Sequence, residues 1–90
     1  LLKYEASSKP HKLAISAMKA GGLAPLCMNA ANEVAVSYFL NGKLNFLQIE
    51  EVVGEILSAF ENKYEYTLSD CLICDKEIRR KTEEYIKKGF

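Results

Sequence analysis

Three cysteines and one histidine are the side chains of this 90-residue chain that could bind a soft metal ion such as zinc. Cys71 and Cys74 stand three positions apart, which places two thiols on one side of a helix, and Cys27 and His11 could complete four ligands. A structural zinc site usually has two close ligand pairs, whereas the second pair here is spread along the chain. Cys71 and Cys74 also lie on an apolar stripe, so we favour cysteines packed in a core over a metal site. The stripe keeps helical spacing through Leu68, Cys71, Leu72, Cys74, Ile78, Thr82 and Tyr85.

A second candidate site is formed by Asn29, Asn32 and Glu33, which stand among alanines and valines. Amide and carboxylate groups could bind a metal ion or hydrogen-bond a substrate. Glu33 is the only carboxylate between Glu5 and Glu50, so a two-carboxylate mechanism or a cage for a hard metal lacks its second member nearby. We therefore predict that these three side chains hydrogen-bond helix ends, loops or a neighbouring domain, and that no residue of this chain is catalytic.

The remaining motifs favour structure over chemistry. His11 follows Pro10 in a predicted first helical turn, and no nucleophile motif accompanies it, so we predict a surface histidine. Gly21 and Gly22 precede a helix, where phosphate can bind, but neither a preceding strand nor a G-x-G-x-x-G pattern is present. A glycine pair that ends a helix is the better interpretation.

Apolar spacing and helix-ending residues predict four helices with short connections, which is an all-α bundle. The first covers residues 10–20, the second 25–40 and the third 49–60. The fourth begins at Thr67 or Ser69 and runs towards the end of the chain, with a break near Cys74 left open. Residues 1–9 are predicted as an extended lead-in or linker, and residues 10–90 as the helical domain. Leu44 and Phe46 are predicted to hold the loop after the second helix against the core.

Few sides of the second helix are polar, so we predict that it is either the central helix of the domain or docks its polar-plus-aliphatic side on something outside this chain. Its core face holds Cys27, Ala31, Val34, Ala35 and Tyr38, widened by Met28 and Phe39. Its other side mixes polar and aliphatic residues: Asn29, Asn32, Glu33, Val36 and Leu40. We predict that this mixed side either docks on domains outside this chain or lines a polar interior of the bundle.

Charge and composition exclude several classes of partner. Lys plus Arg equals Asp plus Glu at 12 each, so no overall field favours nucleic acid. No apolar run approaches the roughly 20 residues of a membrane helix, and the start of the chain lacks the pattern of a signal peptide. The charged run at residues 76–84, with Arg79/Glu83 and Arg80/Glu84 pairs, is typical of a solvated helix face.

An odd number of cysteines indicates a reducing compartment, and the missing initiator methionine suggests a domain of a longer protein.

The order of these motifs resembles the C-terminal domain of the 1-deoxy-D-xylulose 5-phosphate reductoisomerase family. The resemblance rests on Ala20-Gly21-Gly22, Ala24-Pro25, the run from Asn29 to Val36, the run from Phe39 to Phe46, and Ile49. Leu2-Lys3-Tyr4-Glu5 and Asp75-x-x-Ile78-Arg79 also look like the beginning and the final helix of that domain. The linker from Glu5 to Leu13 departs from the family pattern, since Ser7-Ser8-Lys9-Pro10 replaces the usual Pro-Asp and Phe-Pro.

The resemblance implies a bundle of four to five helices that winds as a left-handed superhelix and braces a catalytic domain. The family's enzymes convert 1-deoxy-D-xylulose 5-phosphate into 2-C-methyl-D-erythritol 4-phosphate with NADPH and Mg²⁺ or Mn²⁺, as homodimers. Their nucleotide, metal and phosphate sites belong to the two preceding domains, so no catalytic, cofactor or metal residue carries over to this chain. The implied location is the bacterial cytoplasm, or a plastid-type organelle in a eukaryote. The alternative is a free-standing helical protein-interaction module, which the balanced charges of the fourth helix would permit.

Overall fold

A computed structural model describes residues 17–89, which form an all-α bundle without a strand in that range. Residues 17–20 are helical, and three longer helices follow: α1 at Ala24–Leu40, α2 at Phe46–Ala59 and α3 at Leu68–Gly89. This confirms the predicted fold class. The predicted lead-in at 1–9 and the start of the first helix lie outside the described residues, and the left-handed path stays a prediction.

The α1 helix begins and ends close to where its flanking residues predict. Pro25 lies in its first turn, where the missing N–H of proline costs no helical hydrogen bond. At the other end, Asn41 Nδ2 donates to the Ser37 carbonyl at 2.9 Å, and Gly42 takes a φ of +75°. Glycine adopts this left-handed conformation without steric cost, so the chain can turn away from the helix there.

The α2 helix begins earlier than its apolar pattern indicates, because Asn45 caps it. The Gln48 backbone N–H donates to Asn45 Oδ1 at 2.9 Å, and the Asn45 N–H donates to Gln48 Oε1 at 2.8 Å. Leu44 is buried as predicted. The prediction that Phe46 is held in the core is wrong, because the capping box makes Phe46 the first helical residue and leaves it 55% exposed. Its ring contacts Phe39 edge-on at a centroid distance of 6.1 Å.

The α3 helix runs without a break through Cys74. Asp75 caps no new segment, since its carboxylate accepts a hydrogen bond from Arg79 one turn later. The helix start is fixed by Thr67 and Asp70: the Asp70 N–H donates to Thr67 Oγ1 at 3.2 Å, and the Thr67 N–H donates to Asp70 Oδ2 at 2.9 Å. The Thr67 N–H and the Lys63 ammonium lower the pKa of Asp70, which keeps this cap ionised.

The core is built around the small residues of α1, which contacts both other helices. Four of its side chains are fully buried: Cys27, Ala30, Ala31 and Ala35. They pack in one cluster with Val52 and Val53 of α2 and with Ile78 and Ile86 of α3. Because alanine side chains are short, the backbones of three helices can come close together at α1. The predicted central position of this helix is therefore confirmed, although its core face also includes Ala30.

The helix directions follow from the residues that face one another. Glu33 of α1 pairs with Arg79 of α3, and one turn or more further along both helices Tyr38 and Ile86 line the same cavity. The two helices are therefore parallel to each other. The α2 helix, which connects them in the chain, runs in the opposite direction. We call the end that holds Gly21, Gly22 and the start of α3 the glycine end. The opposite end holds Leu40 and the start of α2.

The glycine end is closed by hydrogen bonds between two loops. The Leu23 N–H donates both to Asn62 Oδ1 at 2.9 Å and to the Lys63 carbonyl at 3.1 Å. Asn62 Nδ2 in turn donates to the Gly21 carbonyl at 3.0 Å. Gly22 lies directly against this second loop with a φ of +59°. The predicted helix stop at the glycine pair is confirmed, and it is also the junction between the start of α1 and the loop before α3.

Candidate functional site: a polar cluster across two helices

Two of the three polar residues singled out in the sequence belong to one charged cluster across α1 and α3. Glu33 Oε1 accepts from Arg79 Nη2 at 2.7 Å, and Arg79 Nε donates to Asp75 Oδ2 at 3.0 Å. Asn29 Nδ2 donates to the other oxygen of Glu33 at 3.3 Å. We call Asn29, Glu33, Asp75 and Arg79 the polar cluster. Its one guanidinium bridges carboxylates from two helices and so links the two helices at their surface.

The chemistry available to the polar cluster is recognition by hydrogen bonds and charge. The Arg79 side chain is 38% exposed and that of Glu33 is 54% exposed, so water screens their attraction. The hydrogen bonds to Asp75 and then to Glu33 raise the pKa of Arg79, which therefore stays protonated at any physiological pH. A guanidinium that never releases its proton cannot act as an acid or a base near neutral pH. The cluster can position helices or contact another protein surface.

The three residues predicted as a polar site, Asn29, Asn32 and Glu33, do not act together in the structure. Asn29 and Glu33 are exposed and hydrogen-bonded to each other, whereas Asn32 is half-buried and its side chain makes no hydrogen bond to a residue within 17–89. The alternative that the mixed side of α1 lines a polar interior does not hold for Asn29, Glu33 and Leu40, which face solvent, whereas Asn32 and Val36 are half-buried. A contact of this side with another domain stays a prediction.

Arg79 forms ion pairs with residues other than the one that the sequence predicted. The expected pair with Glu83 is replaced by pairs with Asp75 and Glu33, whereas the expected Arg80/Glu84 pair forms at 2.6 Å. The Asp75/Arg79 spacing of four residues was a signal for half of this arrangement. The Glu33 contact joins residues 46 positions apart, so no local pattern could indicate it.

We expect the Glu33/Arg79 pair to contribute only about 0.5 kcal/mol to the free energy of unfolding, because both partners are partly solvated. The measurement is a double-mutant cycle of Glu33→Gln and Arg79→Gln by urea unfolding. The coupling energy should fall towards zero in about 1 M salt, where the Debye length is roughly 3 Å. A coupling of several kcal/mol, unchanged by salt, would show that the pair is desolvated and would contradict this geometry.

The positions of the cysteines favour a packing role over metal binding. Cys27 is fully buried, and this burial raises the pKa of its thiol to about 12, so it stays protonated at neutral pH. Burial also raises the pKa of the half-buried Cys74 thiol. Within residues 17–89, no three His, Cys, Asp or Glu side chains converge to hold a metal ion. His11 lies outside the described residues. The described part of this chain therefore offers no ligand set that fits the metal implied by the family resemblance.

The first turns of α3 differ most from the predicted apolar stripe. Ile78, Thr82 and the unpredicted Ile86 are buried, but Leu68 and Leu72 face solvent together with Ile73. We call Leu68, Leu72 and Ile73 the glycine-end patch. At the opposite end, Leu40, Phe46 and Leu47 are also exposed, and we call them the opposite-end patch.

Among residues 17–89, the helices lack the length and the apolar composition that a membrane-spanning helix needs.

Comparison with known proteins gives this arrangement a family. A family model described as "DXP reductoisomerase C-terminal domain" matches residues 5–81. A 1-deoxy-D-xylulose 5-phosphate reductoisomerase of Clostridium botulinum (strain Hall) is 44% identical over 81 residues, which are 90% of this chain and 20% of that protein. The enzyme of that name from Xanthomonas campestris pv. campestris (strain B100) is 49% identical over 72 residues, covering 80% of this chain and 18% of the relative.

A solved structure shows the same relation in three dimensions. The chain is similar to a 1-deoxy-D-xylulose 5-phosphate reductoisomerase from Zymomonas mobilis in complex with NADPH, with a TM-score of 0.78 and 36% identity. The match covers 83% of this chain and 20% of that one. The chain thus spans about a fifth of the length of the relatives it matches. Sequence, family model and fold agree, and the chain belongs to the family of DXP reductoisomerase C-terminal domains.

Proposed function

We propose that this chain is the C-terminal helical domain of an NADPH-dependent reductoisomerase that converts 1-deoxy-D-xylulose 5-phosphate into 2-C-methyl-D-erythritol 4-phosphate for isoprenoid synthesis. The observation that carries the proposal is the match of residues 5–81 to the C-terminal domain of this family. The domain itself supports the catalytic domain and performs no chemical step. NADPH and Mg²⁺ or Mn²⁺ bind elsewhere in the complete enzyme and supply the hydride and the Lewis acid.

The side chains of the described residues are consistent with a supporting role. The charged groups of the polar cluster pair with one another across α1 and α3, and the Cys27 thiol stays protonated inside the core. The small residues of the Asn29–Val36 run hold three helices together, which a domain needs if it is to brace another one. Its partners are the nucleotide-binding and catalytic domains of the same chain, in a homodimeric enzyme of the cytoplasm or of a plastid-type organelle.

The proposal is tested with three proteins: the 90-residue chain, the full-length protein that contains it, and that protein truncated before this domain. The assay follows the consumption of NADPH with 1-deoxy-D-xylulose 5-phosphate, in parallel with thermal unfolding. We expect turnover from the full-length protein, none from the 90-residue chain, and loss of both stability and activity on truncation. A truncated protein as stable and active as the full-length one would refute the supporting role.

A further inference from the structure

The first turns of α3 are held by little packing. No side chain between residues 68 and 77 is buried, and the first buried residue of the helix is Ile78. The glycine-end patch faces solvent on this same stretch. Segments with few buried apolar contacts open at a lower free energy than the rest of a fold. These turns can therefore unwind while the core from Ile78 onwards stays intact.

Local hydrogen bonds and one ion pair keep these turns helical. The cap between Thr67 and Asp70 lies at their start, and the Cys71 N–H donates to the Thr67 carbonyl at 3.2 Å. The Lys63 ammonium pairs with Asp70 at 3.3 Å, and these two side chains are 55% and 31% exposed. Because water screens such partly solvated contacts, each of them is weak. A covalent change within these turns therefore meets little resistance.

Two free thiols stand in this weakly held stretch. Cys71 and Cys74 are three positions apart on one side of α3, and both are half-buried. Cys74 packs against the core cluster and lines a cavity of about 290 Å³ together with Phe60 and Lys81. Burial, and then the neighbouring Cys71 thiol, raises the pKa of Cys74. The two thiols thus lie close enough to influence each other.

Helical geometry opposes a disulfide between these two thiols. Cβ atoms three residues apart on a helix are separated by roughly 5–6 Å, whereas a disulfide needs roughly 3.5–4.5 Å. The bond closes only when the backbone between the cysteines departs from regular helical geometry. Burial would resist this change in a well-packed helix, but no buried side chain lies between residues 68 and 77. Unwinding of this stretch can therefore bring the two sulfur atoms together.

We propose that Cys71 and Cys74 form a reversible oxidation site, in which a disulfide between them unwinds the first two turns of α3. The Cys71 sulfur, which lies outside the core cluster, attacks one sulfur of a small disulfide such as oxidised glutathione and releases one glutathione. Cys74 then attacks the Cys71 sulfur, and the second glutathione leaves. Two electrons pass from the pair to the reagent, and the two thiol protons end on the two released glutathione molecules. An excess of a reducing dithiol reverses both steps.

In the experiment, the 90-residue chain is treated with oxidised glutathione, its remaining thiols are blocked with N-ethylmaleimide in denaturant, and the product is digested. Trypsin cleaves after Lys63 and Lys76, so one peptide of residues 64–76 carries both cysteines. We expect this peptide to lose about 2 Da and to carry no N-ethylmaleimide, while Cys27 is alkylated. Before digestion, the helical circular dichroism should fall by the share of two turns, about seven residues, and return on reduction.

Cys74→Ser is the matched control, because it keeps the first thiol and removes the second. This variant should hold a glutathione on Cys71 and keep the full helical signal. In the unsubstituted chain, a stable glutathione adduct on Cys71, a covalent dimer through Cys71, a disulfide between Cys27 and Cys74, or no reaction at all would each overturn the proposed site. A disulfide between Cys71 and Cys74 that leaves the helical signal unchanged would overturn the unwinding.

Discussion

Gly22→Ala should lower the free energy of unfolding of the 90-residue chain by about 3 kcal/mol. A Cβ atom at this position would lie 2.5 Å from the Lys63 carbonyl oxygen and 2.7 Å from Asn62 Oδ1. Overpacking of this kind costs roughly 1–3 kcal/mol, and a left-handed backbone at a residue with a side chain costs about 1–2 kcal/mol more. The backbone oxygen cannot move without breaking the bond from the Leu23 N–H. Urea unfolding followed by helical circular dichroism measures the loss.

Gly21→Ala is the matched control for this experiment. Gly21 has a similar φ of +72°, but a Cβ there would meet nothing within 4 Å. Only the cost of a left-handed backbone conformation remains, so we expect the free energy of unfolding to fall by about 1 kcal/mol. Equal effects of the two alanines would mean that the contact between Gly22 and the loop at Asn62 does not restrain the folded chain.

Ala31→Leu is the second substitution that we expect to be strongly destabilising, and it should lower the free energy of unfolding by about 2–3 kcal/mol. Ala31 is fully buried at the centre of α1, in the cluster that includes Val52 of α2 and Ile78 of α3. Three added carbon atoms have no space there unless the helices separate, and interiors as dense as those of proteins resist such separation. The midpoint of urea unfolding measures the effect.

The control for Ala31→Leu is Ala59→Leu. Ala59 is the exposed last residue of α2, so the same added volume points into solvent and should change stability by less than about 0.5 kcal/mol. A tolerated leucine at position 31 would contradict close packing of the three helices around α1. If Ala31→Leu also lowers the thermal stability of the full-length protein, the integrity of this small core is coupled to the domains that it supports.

The limits of the sequence patterns can be seen at particular residues. Apolar spacing predicted α1 within one residue at its start, since Pro25 and Asn41-Gly42 mark its ends by local chemistry. It missed the start of α2 at Phe46, because the Asn45/Gln48 capping box extends the helix one turn before its apolar face begins. It also placed Leu68 and Leu72 in the core, because helical spacing shows which residues share a side but not how far a neighbouring helix covers that side.

The sequence by itself determined the all-α class, the helix ends with local capping signals, and the family, because each depends on residues close together in the chain or on their order. Only the tertiary structure decided which polar side chains meet. Glu33 pairs with Arg79 across 46 positions, and Asn62 reaches Gly21 across 41, since parallel packing of α1 and α3 and the return of α2 bring them together. The alanines of the Asn29–Val36 run identify the family in the sequence, and in the folded domain they give α1 its place between the other helices.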